Sequence, residues 1–305
     1  LMRWEFCLPQ RLHTPHSLNS MKQTLFVPLL LAAATAALAA DALPDKSQYH
    51  LFNPTPPQWM REMATDRPDK TESPYTVDAG HFQIEMDLAT YTHDQHNPAR
   101  DGTIVRTWNI APINFKVGLL NNVDAQFIVQ PHTYVHTSDP AAGVSKQRGF
   151  NDFLVRVKWN LWGNDGGDTG FGLMPYLKLP TNQDQLGNRS VEGGLIAPFA
   201  MELPAGWSLG AMPQLDIVRD TGSSSYHPEL VTTISFGHDI VGDLAGYVEF
   251  FQSLSLERGA PWVATVDLGL TYGLTKNIQL DAGLNIGVTR AADDWNPFVG
   301  ISWRF

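Results

Sequence analysis

The sequence predicts an all-β fold: a transmembrane, antiparallel, up-and-down β-barrel of about twelve strands. Three observations carry that expectation. Apolar and polar residues alternate with period two from Gly80 to the end, the connections between alternating stretches are short and longer in turn, and one face of the stretches is continuously apolar while the other is polar.

The first stretch, HFQIEMDLATYT, puts Phe82, Ile84, Met86 and Leu88 on one face and Gln83, Glu85 and Asp87 on the other, the spacing of a strand with one wet face. VDAQFIVQPHTYV repeats it with Val123, Ala125, Phe127 and Val129 against Asp124, Gln126 and Gln130, and DFLVRVKWNLW with Phe153, Val155, Val157, Trp159 and Leu161 against Arg156, Lys158 and Asn160. WVATVDLGLTYGLT and IQLDAGLNIGVT oppose Leu268, Leu270, Leu280 and Leu284 to Asp267, Gly269, Asp281 and Asn285. The strands are expected near 80–91, 103–117, 123–136, 150–162, 169–179, 191–203, 207–219, 227–240, 245–256, 262–274, 278–290 and 296–305. Most are longer than the ~5 to 6 residues usual in globular sheets.

Connections near 118–122, 163–168, 204–206, 241–244 and 275–277 are short and rich in Gly, Asn and Asp, whereas those at 92–102, 137–149, 180–190 and 220–226 are longer. Tight periplasmic turns facing longer outer loops are the habit of outer-membrane barrels, although the outer connections near 257–261 and 291–295 are short. A soluble barrel also alternates, but it points its large aliphatics inward and wears more charge than the 17% found here. Trp108, Trp159, Trp162, Trp207, Trp262, Trp295 and Trp303 lie near strand ends, as two interfacial girdles require. The last stretch keeps Pro297, Val299, Ile301, Trp303 and Phe305 on the outward face to the terminus; Phe305 with Trp303 has the form of the terminal signal read by a barrel assembly machinery.

Before the strands, residues 21–39 (MKQTLFVPLLLAAATAALA) carry a basic start, an apolar run and small residues, the pattern of a secretory signal peptide. Residues 1–20 are then an over-extended gene model, and the one cysteine, Cys7, falls within them. Residues 40–79 form an irregular, proline-rich segment, periplasmic or tucked into the lumen, ahead of the barrel at 80–305. Thirty-one acidic against 21 basic residues give a net charge of -10, which argues against a nucleic-acid partner because phosphate binding draws on clustered Lys and Arg.

The segment TDRPDKTESPYTVDAGHFQIE (Thr65 to Glu85) and the strand GFNDFLVRVKW (Gly149 to Trp159) resemble the Gram-negative outer-membrane barrels labelled for the MetA pathway of phenol degradation. The resemblance implies a porin-like channel for small, aromatic or hydrophobic molecules, and it brings no catalytic motif.

Inward-facing charge is the recurring chemical feature: Glu85, Asp87, Arg106, Arg156, Lys158, Lys178, Glu192, Glu202, Asp216, Glu249, Asp267, Asp281 and Arg304. Barrel closure is expected to bring Glu85 or Asp87 to Arg304, and Arg156 or Lys158 to carboxylates on nearby strands. Such groups either rigidify the interior or line a selective path. GWSLG (Gly206 to Gly210) has a nucleophile-elbow spelling, but Ser208 begins a strand where that motif needs a helix. DTGSSSYH (Asp220 to His227) gathers Ser, His and Asp in one outer loop, HDQH (His93 to His96) is a histidine pair, and GNDGGD (Gly163 to Asp168) is a turn. The expectation is passive passage of small solutes with outer-membrane lipid around the chain, no cofactor, no metal site and no catalytic residue. The alternatives are an outer-membrane enzyme acting on lipids and an adhesive surface barrel.

Overall fold

The computed structural model describes residues 45–220 and 223–305; the expected signal peptide and the stretch before it lie outside the described residues. Sixteen β-segments follow one another: β1 (Phe82–Asp94), β2 (Ile104–Ile110), β3 (Ile113–Leu120), β4 (Val123–Val129), β5 (His132–Asp139), β6 (Gly143–Gly149), β7 (Phe153–Trp162), β8 (Thr169–Leu179), β9 (Glu192–Ile196), β10 (Phe199–Leu203), β11 (Trp207–Arg219), β12 (Tyr226–Val241), β13 (Leu244–Ser255), β14 (Val263–Thr275), β15 (Ile278–Gly287) and β16 (Trp295–Arg304). They make twelve passes of one antiparallel barrel, because β2 with β3, β4 with β5, β6 with β7 and β9 with β10 are single passes with an interruption. Three of the interruptions fall at Pro112, Pro131 and Pro198, where the missing N–H breaks the ladder.

Consecutive passes pair, and β16 pairs with β1 from Gln83 opposite Arg304 to His93 opposite Trp295. The passes therefore close on themselves through the membrane, as lipid demands; β6, which pairs with β5 alone, keeps one edge open. The Phe82 and Phe305 backbones exchange hydrogen bonds of 3.0 and 2.9 Å, and their rings stack at 5.8 Å.

The barrel is inside-out. Its exposed residues include Leu215, Leu230, Val248, Leu268, Leu270 and Val299, while Lys116, Lys158, Glu249, Asp124 and Asp267 are among its most buried side chains. All seven predicted girdle tryptophans are 40–50% exposed. Trp159, Trp162, Trp207 and Trp303 stand at the short-turn end, and Trp108, Trp262 and Trp295 at the other.

Two details depart from the sequence reading. The segment 137–149 is not a loop: β5 and β6 pair from Thr133 opposite Gly149 to Asp139 opposite Gly143, leaving a turn at 140–142 whose amides at Ala141 and Ala142 bond to the Asp139 carboxylate at 2.8 and 2.7 Å. This hairpin stands beyond the lipid, so it needs no continuous apolar face and lacks the alternation that marks the other strands. In β1, the register against β16 shifts between Asp87 and Ala89. The bulge reverses parity, so Tyr91 and His93 face outward against Trp295 while Thr90, Thr92 and Asp94 turn inward. Arg106, opposite His93, lies on the outer face rather than in the lumen.

Candidate functional site

The inner wall is built by the polar half of each strand's alternation. Gln83, Glu85, Lys116, Asp124, Gln126, Arg156, Lys158, Glu249, Asp267, Asp281 and Arg304 are all buried there. What buries them is the segment preceding β1, which threads the lumen and answers the wall charge by charge.

Near the short-turn end, the Arg304 guanidinium donates to the Arg61 carbonyl at 2.8 Å and lies 3.4 Å from Asp78, while Arg61 reaches Asp165 at 3.2 Å and Lys46 reaches the same carboxylate at 2.7 Å. Midway, Asp66 sits between Lys116 and Lys158, each 2.5 Å away, and its backbone amide donates to Glu85 at 3.1 Å. Glu85 itself pairs with Lys116, and Glu72 with Arg156. Arg67 bridges Asp87 at 2.6 Å and Asp281 at 2.7 Å. Lys70 meets Asp267 at 2.9 Å, and Glu249 accepts from the Lys70 amide at 2.8 Å and from the Thr71 hydroxyl at 2.5 Å.

The electrostatics of the segment follow from this company. Burial would raise the Asp66 carboxyl, but Lys116 and Lys158 outweigh it and hold the group well below the usual carboxylate range. Asp69 has no such cation: burial, then the neighbouring Glu249, push it up to about 8. Burial also pushes Glu72 up to about 7 against the opposing pull of Arg156.

Glycines on the wall let the segment come close. A Cβ on Gly118 would stand 2.0 Å from the Asp78 carbonyl oxygen, and one on Gly300 would stand 2.2 Å from the Arg67 guanidinium. The segment leaves space on both sides of Arg67 and Pro68. A cavity of about 510 Å³ lies against β10 to β13, with Asp69, Tyr75, Met201, Ser208 and Tyr247 on its walls; one of about 260 Å³ lies toward the outer mouth, lined by Thr90, Asn109, Gln130, Asn285 and Phe298. Arg67 and Pro68 line both, so they form the septum between them. A third, of about 620 Å³, opens at the short-turn end between Met60, Met63 and Ile278. The buried Tyr247 hydroxyl has no hydrogen-bond partner among the described residues.

Of the sequence-predicted lumen residues, Glu85, Asp87, Arg156, Lys158, Glu249, Asp267, Asp281 and Arg304 all contact the leading segment. Glu192 and Asp216 do not: Glu192 pairs with Lys178 at 2.5 Å, and Asp216 accepts from Tyr176 at 2.6 Å, both on the wall toward the outer mouth. The expected Arg304 pairing is corrected. Glu85 lies opposite Ser302, and Arg304 lies opposite Gln83 and turns to Asp78. Arg156 and Lys158 form ion pairs with Glu72 and Asp66 of the segment, while Asp124 of the neighbouring β4 lies directly opposite Lys158. Sequence reasoning missed Asp66, Arg67, Lys70, Glu72 and Asp78 because an irregular stretch has no period to assign them a direction. It also passed over Lys116, which the alternation of INFKVGLL puts inward with Asn114.

The remaining motifs have structural settings. Ser208 and His227 are at opposite ends of the β11–β12 hairpin. His227 instead joins Asp220 through Nδ1 at 2.8 Å and Ser255 through Nε2 at 2.9 Å, on the inner wall at the outer mouth. Of the histidine pair, His93 stacks on Trp295 at 5.4 Å and His96 bonds Asp294 at 2.8 Å. The inner wall is not wholly polar, since Met174, Ile196 and Met212 form a buried cluster on it.

The family model described as "Putative MetA-pathway of phenol degradation" matches residues 65–305. The chain belongs to that family. Its match begins at Thr65, so the family pattern takes in the part of the threaded segment that carries Asp66, Arg67, Lys70 and Glu72. Among solved structures, the COG4313 outer membrane channel from Pseudomonas putida F1 is similar at 13% identity with a TM-score of 0.57, over 79% of this chain and 100% of that one. The NanC porin is similar at 11% identity and a TM-score of 0.48, over 72% and 98%. The Ralstonia pickettii toluene transporter TbuX is similar at 8% identity and a TM-score of 0.41, over 74% and 89%. No curated protein matches the chain in sequence. The fold is that of bacterial outer-membrane barrels.

Proposed function

We propose that the chain is a passive outer-membrane channel for small solutes, aromatic or hydrophobic ones included, whose lumen is held narrow by its own leading segment. The carrying observation is the pair of cavities on either side of the Arg67–Pro68 septum, inside a closed barrel with a polar inner wall. A channel of this kind needs an enclosed path of modest width and no energy source. The family's description supports the aromatic class. So does the inner cavity, where Tyr75 and Tyr247 are among the lining side chains.

The test is liposome uptake of alkylphenols, aromatic acids and sugars by the mature chain and by a form lacking 45–79. Faster uptake of phenols than of sugars by the full chain, with selectivity lost on deletion, is the expected result. No flux of any solute in liposomes or planar bilayers, from either form, ends the proposal.

The enzymatic alternative has one feature in its favour, the Asp220–His227–Ser255 chain, whose spacing suits a nucleophile, a base and its orienting carboxylate. We read it as a structural latch, because the Ser255 oxygen also accepts the Glu257 amide at 3.2 Å and so closes a local turn. Covalent labelling of Ser255 by a fluorophosphonate would reverse that reading; Ser208 has no part in it.

A further inference from the structure

The outer surface carries a basic row that neither the barrel nor the channel needs. His93 of β1, Arg106 of β2, His136 of β5 and Lys146 of β6 are successive cross-strand partners, so their side chains share the outward face. One step toward the membrane, Tyr91, Trp108, Tyr134 and Arg148 form the next row, again in register. Tyr91 touches Trp108 at 4.7 Å and Trp295 at 5.1 Å, which marks this level as the interfacial aromatic belt.

At ~3.3 Å per residue and a strand tilt of ~45°, the run from Phe82 to His93 rises roughly 25 Å, the height of the apolar band of such barrels. His93 therefore stands at the outer lipid surface. Lys146 lies farther along its pass from Trp162 than His93 does from Phe82, so the row climbs from that surface into the headgroup layer.

The chain as a whole has a net charge of -10, yet the outward positions of β1, β2, β5 and β6 at this end hold no carboxylate: Ile104, Arg106 and Trp108; His132, Tyr134, His136 and Ser138; Val144, Lys146 and Arg148. Among the described residues, the side chains of Arg106, Lys146 and Arg148 have no ion-pair partner, and Asp184, close by, accepts from the Arg148 backbone amide at 2.9 Å. Everywhere in the lumen this protein pairs its cations; here it leaves a line of them unpaired, directly above aromatic side chains.

We propose that this face binds the phosphorylated, acidic-sugar headgroup of outer-leaflet lipopolysaccharide. The belt side chains, Arg148 among them, lie against the acyl–sugar boundary, Arg106 supplies a planar fork for a phosphate, and Lys146 meets charge farther out. The fit is one of sign and of level: a polyanionic layer lies outside an outer membrane at the height where the row runs.

The experiment uses the full mature chain in detergent, with hexa-acylated lipid A carrying both phosphates as probe and two comparison probes, fully dephosphorylated lipid A and phosphatidylglycerol. The bisphosphorylated form is expected to bind at least about tenfold tighter than either. Arg106→Glu with Lys146→Glu is expected to abolish that preference, while Lys276→Glu, in a turn at the opposite end, leaves it intact. Folding of the variants is checked by heat-modifiable gel migration; if the double reversal does not fold, Arg106→Gln with Lys146→Gln removes the charges while keeping polar side chains and is expected to weaken binding at least about fivefold. Equal affinity for dephosphorylated lipid A, equal affinity for phosphatidylglycerol, or a preference untouched by the folded variants would each overturn the proposal.

Discussion

Asp66 is held between two ammonium groups, Lys116 and Lys158, neither of them more than 2% exposed. An isolated buried cation is costly, so the carboxylate and the lysines stabilise one another only as a set. Asp66→Asn removes the shared counter-charge, and we expect about 3 kcal/mol of lost stability, read as a lower temperature for the shift from compact to extended migration on gels. Arg67 plays the reverse part, one cation between Asp87 and Asp281. Arg67→Ala thins the septum and leaves two carboxylates facing it, and a single-channel conductance at least about twofold above the parent is the expected outcome, with cation preference increased. Asp69 gives a pH dependence. Its carboxyl, facing Glu249 and Tyr247 of β13 and Glu72 of its own segment, is raised to about 8 by burial and by Glu249. A raised carboxyl favours the docked state fully below the ordinary value near ~4, and that contribution drains away as pH rises through about 8. Conductance is thus expected to climb with pH across this window, and Asp69→Asn to flatten the climb.

At the level of elements, the strands and the threaded segment are made by different rules. A strand in lipid must satisfy its backbone laterally and show hydrocarbon one face, which writes period two into the chain. The segment is under no such rule; its course follows from which wall charges it can answer and where the wall is thin. Gly118 marks one such place, because any side chain there would meet the Asp78 carbonyl. Gly118→Val keeps the strand pattern, indeed raises β-propensity, yet should lift the segment off the wall. The check is limited proteolysis with trypsin: cleavage after Arg61 and Lys70 at least about tenfold faster than in the parent, with the barrel core left intact. Unchanged cleavage would mean that the ion pairs alone hold the segment.

For the whole molecule, closure depends on the first and last strands, and Phe305 completes both their ladder and an aromatic stack on Phe82 that Phe115 extends. We propose that Phe305 and Trp303 also serve as the assembly signal. Deleting Phe305 is expected to cut outer-membrane yield about tenfold in cells while refolding in detergent falls far less; equal losses in both would assign the residue to stability alone. The sequence by itself determined the twelve passes, most strand bounds within a few residues, the aromatic girdles and the inward direction of Glu85, Lys158, Asp267 and Asp281. Each of these is local, since alternation with period two says which way a side chain points once lipid is outside. Only the tertiary structure decided that Asp66, Arg67, Lys70 and Glu72 are the partners of those charges, that Arg304 turns to Asp78, that 137–149 is a hairpin and that Arg106 faces out. These hang on closure, on a one-residue bulge and on the path of an aperiodic chain through a cavity, where the pairing of distant residues carries information that no stretch of sequence holds alone.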